Sequence, residues 1–312
     1  MAQANIVNGK AMDADKKAEA KDAKARRRRR TSRPRGLSFD RRVTEKHVDP
    51  LDDVRMEKRT SVITNPDGSV VFKMEGAEIP AEWSQLATDI VVSKYFRKAG
   101  LFNDKSQGET SVRQVVYRIA HTIREAGERF GGYFASTEAA DVFEAELSYY
   151  LVNQYGAFNS PVWFNCGLYH EYEIKGAGGN YAYNPTAKAD SPEEIYQIDN
   201  NYERPQCSAR FIQAVGDDLM SIYDLVKAEA RLFKYGSGTG TNFSAIRGKQ
   251  EKLSGGGTSS GLMSFLEVLD RAAGSTKSGG TTRRAAKMVC LDMDHPEIED
   301  FIQWKVREER KA

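Results

Sequence analysis

Three segments rich in glycine, serine and threonine lie within fifty residues of one another in the second half of the chain. They are YGSGTGTNFSAIR at 235–247, GGGTSSG at 255–261 and STKSGGTTRR at 275–284. Glycine lets backbone amides approach a ligand closely, and successive N–H groups can cradle an anion. Hydroxyl groups ahead of a helix and arginine forks add donors that suit phosphate. Together the three segments predict a nucleotide-binding surface.

Each segment also has a plainer interpretation. A helix precedes 235–247 and its spacing is GxGxG, so it is no dinucleotide-binding fingerprint, which needs a strand before the glycines. It would then be an ordinary flexible loop. Residues 255–261 would be a common serine or threonine helix cap, and 275–284 a solvated charged loop.

Cysteine and histidine offer little further chemistry. Cys166, Cys207 and Cys290 are too few for a disulfide framework and lack the spacing of a zinc site. Cys207 could be redox-active, although a single thiol beside a strand is more often a packing residue. The four histidines are too scattered in sequence to form a ligand cluster. No metal site is expected.

The secondary structure predicted for the first half of the chain differs from that predicted for the second half. Before residue 157 the pattern predicts a β-hairpin around Asn65–Gly68 and helices over 111–126 and 137–155. Ser111 and Gln114 form a capping-box pattern at the start of one helix. The polar stretch 167–204 is interpreted as a linker.

The chain changes character at Cys207. Strands are predicted over 208–215 and 287–293, with helices beginning at Asp218 and Pro296. This alternation predicts α/β architecture with mostly parallel strands. The pattern is still running at Ala312, so we interpret the chain as the N-terminal piece of a larger protein.

Composition limits the class of protein. Of 312 residues 40% are hydrophobic, which excludes global disorder, and no apolar run is long enough to cross a membrane. With no signal-peptide pattern and only three cysteines, a cytoplasmic location is expected. Residues 1–42 hold 14 basic and 5 acidic residues. We expect this segment to be a disordered basic arm. The alternative is an arm that binds phosphate or nucleic acid. Nucleic acid is not expected, because no aromatic residue lies among the arginines at 23–36 to stack on bases. The predicted divisions of the chain are the basic arm at 1–42, a mainly helical domain with a small hairpin and the linker at 43–204, and the α/β part at 205–312.

Taken together, the ordered motifs resemble the large catalytic chain of ribonucleotide reductases. The helical stretch at 81–100 is similar to the adenosylcobalamin-dependent class II branch. The resemblance covers residues 37–312, and six motifs carry it: NSPVWFNCG at 159–167, PQCSARFIQ at 205–213, GSGTGTNFSAIRG at 236–248, GGGTSSGLMSFL at 255–266, KSGGTTRRAAKMV at 277–289 and DHPEIEDFI at 294–302.

The resemblance implies a helical domain followed by the first part of a ten-stranded α/β barrel, incomplete in this chain. It also implies positions that bind ligands. Substrate contacts are implied at Ser160, Ser208, Ala209, Gly238, Ser278 and Arg283. Contacts with a deoxynucleoside triphosphate effector are implied at Asp217 or Asp218, Arg247, Thr258 and Ser259. Ser278 and Arg283 would belong to a segment that transmits effector identity to the substrate base.

One position departs from the family pattern. The residue after Ser208 and Ala209 is normally a cysteine, one half of the dithiol that delivers electrons, and here it is Arg210. Arginine cannot donate electrons by thiol–disulfide exchange. Cys207 lies three residues earlier, and in an extended strand an odd offset points to the opposite face, so it is a weak substitute.

The resemblance implies that the intact enzyme reduces ribonucleotides to 2′-deoxyribonucleotides by thiyl-radical chemistry, with adenosylcobalamin, a thioredoxin-type reductant and a possible homodimer. The radical cysteine and the cobalamin contacts would lie beyond Ala312, so we expect this chain alone to form no deoxynucleotide. Two alternatives stay open. One is a reductase that takes its radical from a separate subunit, and the other is a non-catalytic nucleotide-binding remnant, because Arg210 removes a key thiol.

Overall fold

A computed structural model describes residues 36–129, 131–184, 186–188, 190–278 and 283–311. Most of the predicted basic arm, residues 1–35, therefore lies outside the described residues. Gly36 onward is attached to the helical part, since Leu37 N donates to Tyr133 O at 2.7 Å. In the described part of the chain, no helix combines the length and the apolar character that a bilayer crossing requires.

An antiparallel hairpin of two long strands opens the described structure, formed by β1 (Met56–Thr64) and β2 (Val70–Pro80). Asn65 N donates to Ser69 O at 2.9 Å, and the Asp67 carboxylate accepts from Ser69 N at 2.9 Å. Short polar side chains that bond their own backbone favour such a turn. The predicted hairpin is confirmed, and it is longer than the sequence pattern indicated.

Five helical segments follow, and they contain the first hydrophobic core. Gln114 Oε1 accepts from Ser111 N at 3.1 Å and Ser111 Oγ accepts from Arg113 N at 3.1 Å, so the capping-box prediction is confirmed in its essentials. The segments are α1 (Gln85–Ile90), which continues as a π-helical turn over Val91–Tyr95, α2 (Val112–Arg129), α3 (Thr137–Val152), α4 (Ser160–Asn165) and α5 (Leu168–Tyr172). Fully buried members of the core are Ile79, Val92, Val112, Val115, Val116 and Ile119.

A buried ion pair lies inside this helical unit. Arg118 on α2 and Glu109 have fully buried side chains, and Arg118 Nε donates to Glu109 Oε1 at 2.7 Å. Tyr172 Oη donates to the same carboxylate oxygen at 3.0 Å. The Glu109 charge and its hydrogen bonds raise the pKa of Arg118 against the opposing effect of burial. The pair therefore joins α2 to the segment immediately before it and to α5.

The stretch from 167 to 204 is more structured than the predicted linker. It contains α5 and a small antiparallel hairpin of β3 (Tyr181–Tyr183) and β4 (Ile195–Gln197). Three-residue strands leave almost no periodic pattern, which is why the sequence indicated a loop.

The second half of the described chain is built on three parallel strands. They are β5 (Arg210–Gln213), β6 (Gly238–Asn242) and β9 (Lys287–Cys290), with β6 in the centre. Helix α6 (Leu219–Lys234) connects β5 to β6. Helix α7 (Leu262–Ser275) and a short antiparallel pair, β7 (Lys277–Ser278) and β8 (Arg283–Arg284), precede β9, and α8 (Ile298–Lys311) follows it. The prediction of α/β architecture with parallel strands is confirmed.

Helix α6 shows how local sequence places these elements. The Asp218 carboxylate accepts from Ser221 N at 3.0 Å and caps the helix, as predicted. Gly236, with φ of 89°, ends the turn beyond it. The core between the helices and the sheet is formed by Ile222, Leu225, Phe243, Ile246, Leu262, Leu266 and Leu269.

Candidate functional site

Residues 238–242 of the glycine-rich segment at 235–247 do not form an anion-cradling loop, which corrects that part of the prediction. Residues 238–242 form the central strand of the parallel sheet, and Gly238 to Thr241 are buried. The Gly238 amide donates to Ala209 O at 2.8 Å, and the Thr239 amide donates to Ala286 O at 3.0 Å. Because these amides are used by the neighbouring strands, they cannot also bind a phosphate.

The buried carboxylate of Glu229 on α6 contacts the central strand β6. Glu229 on α6 is 2% exposed; it accepts from Thr239 Oγ1 at 3.0 Å and from Lys287 Nζ at 2.7 Å and 2.8 Å. Burial lowers the pKa of Lys287, and the contact with Glu229 opposes that shift. Glu229 thereby ties α6, β6 and β9 together, a role that sequence reasoning missed.

Apart from Ser278 and Arg283, three of the four substrate-contact candidates, Ser208, Ala209 and Gly238, lie together at the start of the sheet. Ser208 O accepts from Ser237 Oγ at 2.5 Å, and Ala209 O accepts from the Gly238 amide. Ser160 is on α4, where its Oγ lies 3.0 Å from Tyr95 Oη. The same helix reaches the sheet through Asn165, whose Nδ2 donates to Gln206 O at 3.2 Å and Tyr235 O at 2.9 Å.

Arg210 is the first residue of β5. Its guanidinium folds back onto the preceding residue, since Nη1 donates to Ala209 O at 2.9 Å. Cys207 precedes the strand. Cys207 and Arg210 are therefore not related by the alternation of a strand, because residues 207–209 are not extended strand.

The effector-contact candidates Asp217 and Arg247 form a direct ion pair. Arg247 Nε donates to Asp217 Oδ2 at 2.6 Å, and Arg247 N donates to Asp217 Oδ1 at 3.2 Å. Their side chains are 32% and 30% exposed, so solvent reaches the pair. The alternative candidate, Asp218, is occupied as the helix cap of α6. The hydrogen bonds of Arg247 use Nε and Nη1, which leaves its Nη2 edge without a protein partner among the described residues.

The segment with Thr258 and Ser259 folds back towards this ion pair. Arg247 Nη1 donates to Lys252 O at 3.3 Å, and Lys252 pairs with Thr258 in an isolated antiparallel bridge. Ser259 N donates to Glu251 O at 2.8 Å. The structure therefore brings Asp217, Arg247 and the 251–259 segment into one solvent-accessible group.

Two amides at the predicted anion site before α7 form hydrogen bonds within the chain. Leu262 N, the first amide of the helix, donates to Glu297 Oε2 at 2.6 Å, and Ser259 Oγ accepts from Gly261 N at 3.0 Å. A carboxylate is a favourable partner for a helix N-terminus. The Gly261 and Leu262 amides therefore have partners within the chain, and phosphate binding at the start of this helix stays a prediction.

Ser278 and Arg283 lie opposite each other in the register of the β7–β8 ladder. The connecting residues 279–282 and the side chains of both candidates fall outside the described part of the chain. Their suggested role in contacting the substrate base stays a prediction.

Two groupings were not predicted from the sequence. Cys166 and Cys207 line one cavity and each thiol shifts the pKa of the other, although the residues are distant in sequence. His121, Glu125 and Glu171 place one potential metal-ligand atom each within 4.8 Å of one another. Helical spacing could have suggested the first two, but Glu171 comes from α5, which the sequence did not reveal.

Comparisons with known proteins agree with the two-part organisation. Residues 57–154 match the family described as class II vitamin B12-dependent ribonucleotide reductase, and residues 208–312 match the ribonucleotide reductase barrel domain. The latter gives the second half an α/β ribonucleotide reductase fold.

Curated relatives named vitamin B12-dependent ribonucleotide reductase are similar over most of the chain. The Bradyrhizobium diazoefficiens protein is 47% identical over 88% of this chain and 24% of its own length. The Rhodopirellula baltica protein is 46% identical over 84% of this chain and 24% of its own length, and the Streptomyces coelicolor protein 44% identical over 93% and 26%.

Among solved structures, the class Id ribonucleotide reductase alpha subunit of Actinobacillus ureae aligns with 62% of this chain and 26% of its own, at 15% identity and a TM-score of 0.39. The chain spans about a quarter of the length of the curated relatives it matches. On the two family matches and the identities of these relatives, the chain belongs to the vitamin B12-dependent, class II ribonucleotide reductase family.

Proposed function

We propose that this chain is part of an enzyme that converts ribonucleotides to 2′-deoxyribonucleotides for DNA synthesis by thiyl-radical chemistry. We take its substrates to be ribonucleoside diphosphates and its partners to be a thioredoxin-type reductant and a second copy of the enzyme, in the cytoplasm. Family membership supports the reaction class. The chain itself contributes the helical unit and the three parallel strands, and its part in the whole is to bind and orient nucleotides.

The observation that carries the proposal is the exposed Asp217–Arg247 pair beside the folded 251–259 segment. A guanidinium held on one edge by a carboxylate presents its other edge in a fixed orientation, which suits a phosphate group. Hydroxyl groups of Thr258 and Ser259 lie on the adjoining segment. We assign this group of residues to the triphosphate of a deoxynucleotide effector.

On the substrate side, we propose that Ser160, Ser208, Ala209 and Gly238 form one edge of the ribose site. Ser208 and Ala209 are held by hydrogen bonds of their carbonyl groups to Ser237 and Gly238. Their backbone is thus fixed before a ligand arrives, which lowers the ordering cost of binding.

We propose that the adenosylcobalamin of the family is held by residues outside those described. Ring nitrogens of His121, His170 and His295 lie against Glu144, the Glu203 carbonyl and the Ile246 carbonyl. One cavity of about 410 Å³, beside His47, is lined by charged side chains such as Arg41, Arg124 and Glu144. We therefore derive no step through this cofactor here.

Replacing Arg247 with alanine is expected to weaken deoxynucleoside triphosphate binding about 10–100-fold, because a hydrogen bond to a charged group contributes about 1.5–3 kcal/mol. Isothermal titration of the purified chain with dATP, dGTP, dCTP and dTTP in turn measures the change. Arg307→Ala removes an exposed arginine of α8 that pairs with Asp300 at 2.7 Å. Binding by this control should equal that of the wild type.

Two outcomes would contradict the effector assignment: no binding of any of the four nucleotides, or equal binding by the wild type and Arg247→Ala. Asp217→Asn offers a milder second variant, since it keeps the shape of the side chain and removes the charge that orients Arg247. It should lower affinity in the same direction.

A non-catalytic nucleotide-binding remnant is the second candidate, and Arg210 is the observation that favours it. The expected dithiol position holds a side chain that cannot carry electrons. Deoxynucleotide formation assayed in a full-length protein that carries Arg210 distinguishes the two. Effector binding with no turnover would favour the remnant, whereas multiple turnovers would favour the reductase.

A further inference from the structure

Cys166 and Cys207 form a pair of thiols at the junction of the helical unit and the sheet. Cys166 is the residue at which α4 ends, and Cys207 lies in the segment that leads into β5. Both residues line one cavity of about 390 Å³, and each thiol shifts the pKa of the other.

The backbone on both sides of this pair is fixed. Arg118 Nη1 donates to Cys166 O at 2.7 Å, and Cys166 N donates to Val162 O at 3.0 Å. On the other side, Gln206 O accepts from Asn165 Nδ2 at 3.2 Å. The residues immediately before the two cysteines are thus bonded to each other, which keeps the thiols together.

The two thiols differ in access and acidity. Cys166 is 3% exposed, whereas Cys207 is exposed at the cavity. The hydrogen bond from Cys166 lowers the pKa of Cys207, and the same contact together with burial raises the pKa of Cys166. Arg129, Arg204 and His170 line the cavity with Glu203. An accessible, more acidic thiol in basic surroundings is the typical environment of a nucleophilic cysteine.

We propose that Cys166 and Cys207 form a redox-active dithiol that exchanges with small-molecule disulfides, with Cys207 as the nucleophile and Cys166 as the resolving thiol. Cys207 directly precedes Ser208, which the proposed function places at the ribose site, but the exchange with small-molecule disulfides is proposed independently of the ribose chemistry.

The exchange balances in two steps. The Cys207 thiolate attacks one sulfur of the disulfide RS–SR, forms a mixed disulfide and releases RS⁻, which takes up the proton lost from Cys207. Cys166 then loses its proton to solvent and attacks the Cys207 sulfur, which closes the Cys166–Cys207 disulfide and releases the second RS⁻. The protein loses two electrons and two protons, and the small-molecule disulfide is reduced to two thiols.

Oxidised glutathione is the probe that tests this site. The reduced chain is incubated with it, the remaining thiols are alkylated, and the peptides are identified by mass spectrometry. We expect a cross-linked Cys166–Cys207 peptide pair and an alkylated Cys290. In Cys166→Ser a stable glutathione adduct should accumulate on Cys207, because the resolving thiol is gone. In Cys207→Ser neither the cross-link nor the adduct should form.

Cys290 supplies the matched control. It is an exposed free cysteine at the end of β9, away from the pair. Cys290→Ser should leave the cross-link unchanged, and alkylation of Cys207 should be at least about tenfold faster than that of Cys290 near neutral pH. Three results would overturn the proposal: equal alkylation rates, a wild type that stops at the mixed disulfide, or Cys166→Ser with no adduct and a normal circular-dichroism spectrum.

Discussion

Replacing Arg118 with methionine is expected to lower the free energy of unfolding by about 3–5 kcal/mol, the usual cost of removing one partner of a buried ion pair. Methionine fills similar space, so the loss arises from charge and hydrogen bonding rather than from a cavity. The effect is a large part of the total stability of a domain, about 5–15 kcal/mol.

The contacts of Arg118 explain the size of this loss. Its guanidinium donates to the carbonyl groups of Cys166 at 2.7 Å and Trp163 at 2.8 Å as well as to Glu109. Without it, the Glu109 carboxylate stays buried without its counter-charge, and the carbonyl groups at the end of α4 lose their donor. Buried groups left without partners bear the full cost of desolvation.

Urea unfolding followed by circular dichroism measures this difference. Arg113→Ala is the control on the same helix: partly exposed Arg113 pairs with exposed Asp52 at 2.7 Å and lies 3.8 Å from Glu78. It should cost less than about 1 kcal/mol. The double variant Glu109→Gln/Arg118→Met should recover part of the loss, since it removes the uncompensated charge. If Arg118→Met were no worse than Arg113→Ala, the pair would not stabilise the fold.

Replacing Glu229 with leucine should cost a similar amount, about 3–5 kcal/mol, this time in the sheet. The variant leaves the Lys287 ammonium, whose side chain is 10% exposed, without its carboxylate, and leaves Thr239 Oγ1 without its acceptor. The double variant Glu229→Leu/Lys287→Met should regain most of the stability because no charge is then buried.

The pH dependence of the Glu229 variant gives an independent check. Burial already lowers the pKa of Lys287 below its ordinary value of 10.5, and Glu229 opposes that shift. Without Glu229 the unfolded chain binds the lysine proton more tightly than the folded one, so the free energy of unfolding rises with pH between the lowered pKa and 10.5.

The deficit of Glu229→Leu should therefore shrink as the pH is raised towards 10.5, the ordinary lysine value. Urea titrations of the variant and the wild type across this range measure it. Asp300→Asn, which breaks an exposed pair with Arg307, should cost less than about 1 kcal/mol. A Glu229 deficit that is constant with pH would show that Lys287 is not the group left unpaired.

Local patterns predicted the helices well. The start of α2 at Ser111 and Gln114 and the start of α6 at Asp218 depend on contacts within four residues, which a single sequence displays. The resemblance added long-range information: it grouped Asp217 with Arg247, and the two side chains are in contact. Their binding role stays a prediction.

The failures have one physical origin. Strand β6 has a sequence, GTGTN, with low intrinsic β-propensity, and only its pairing with β5 and β9 makes it a strand. The contact between Cys166 and Cys207 and the capture of the α7 terminus by Glu297 likewise join residues that are far apart in the chain. No local pattern records such partners.

Glu297 also has a consequence for any anion that approaches α7. Its carboxylate is tethered to the same polypeptide, so it competes at an effective concentration of at least about millimolar. A phosphate would have to displace a carboxylate that is covalently attached to the same chain. Phosphate binding in this region would therefore depend on Arg247, as proposed above, rather than on the helix dipole.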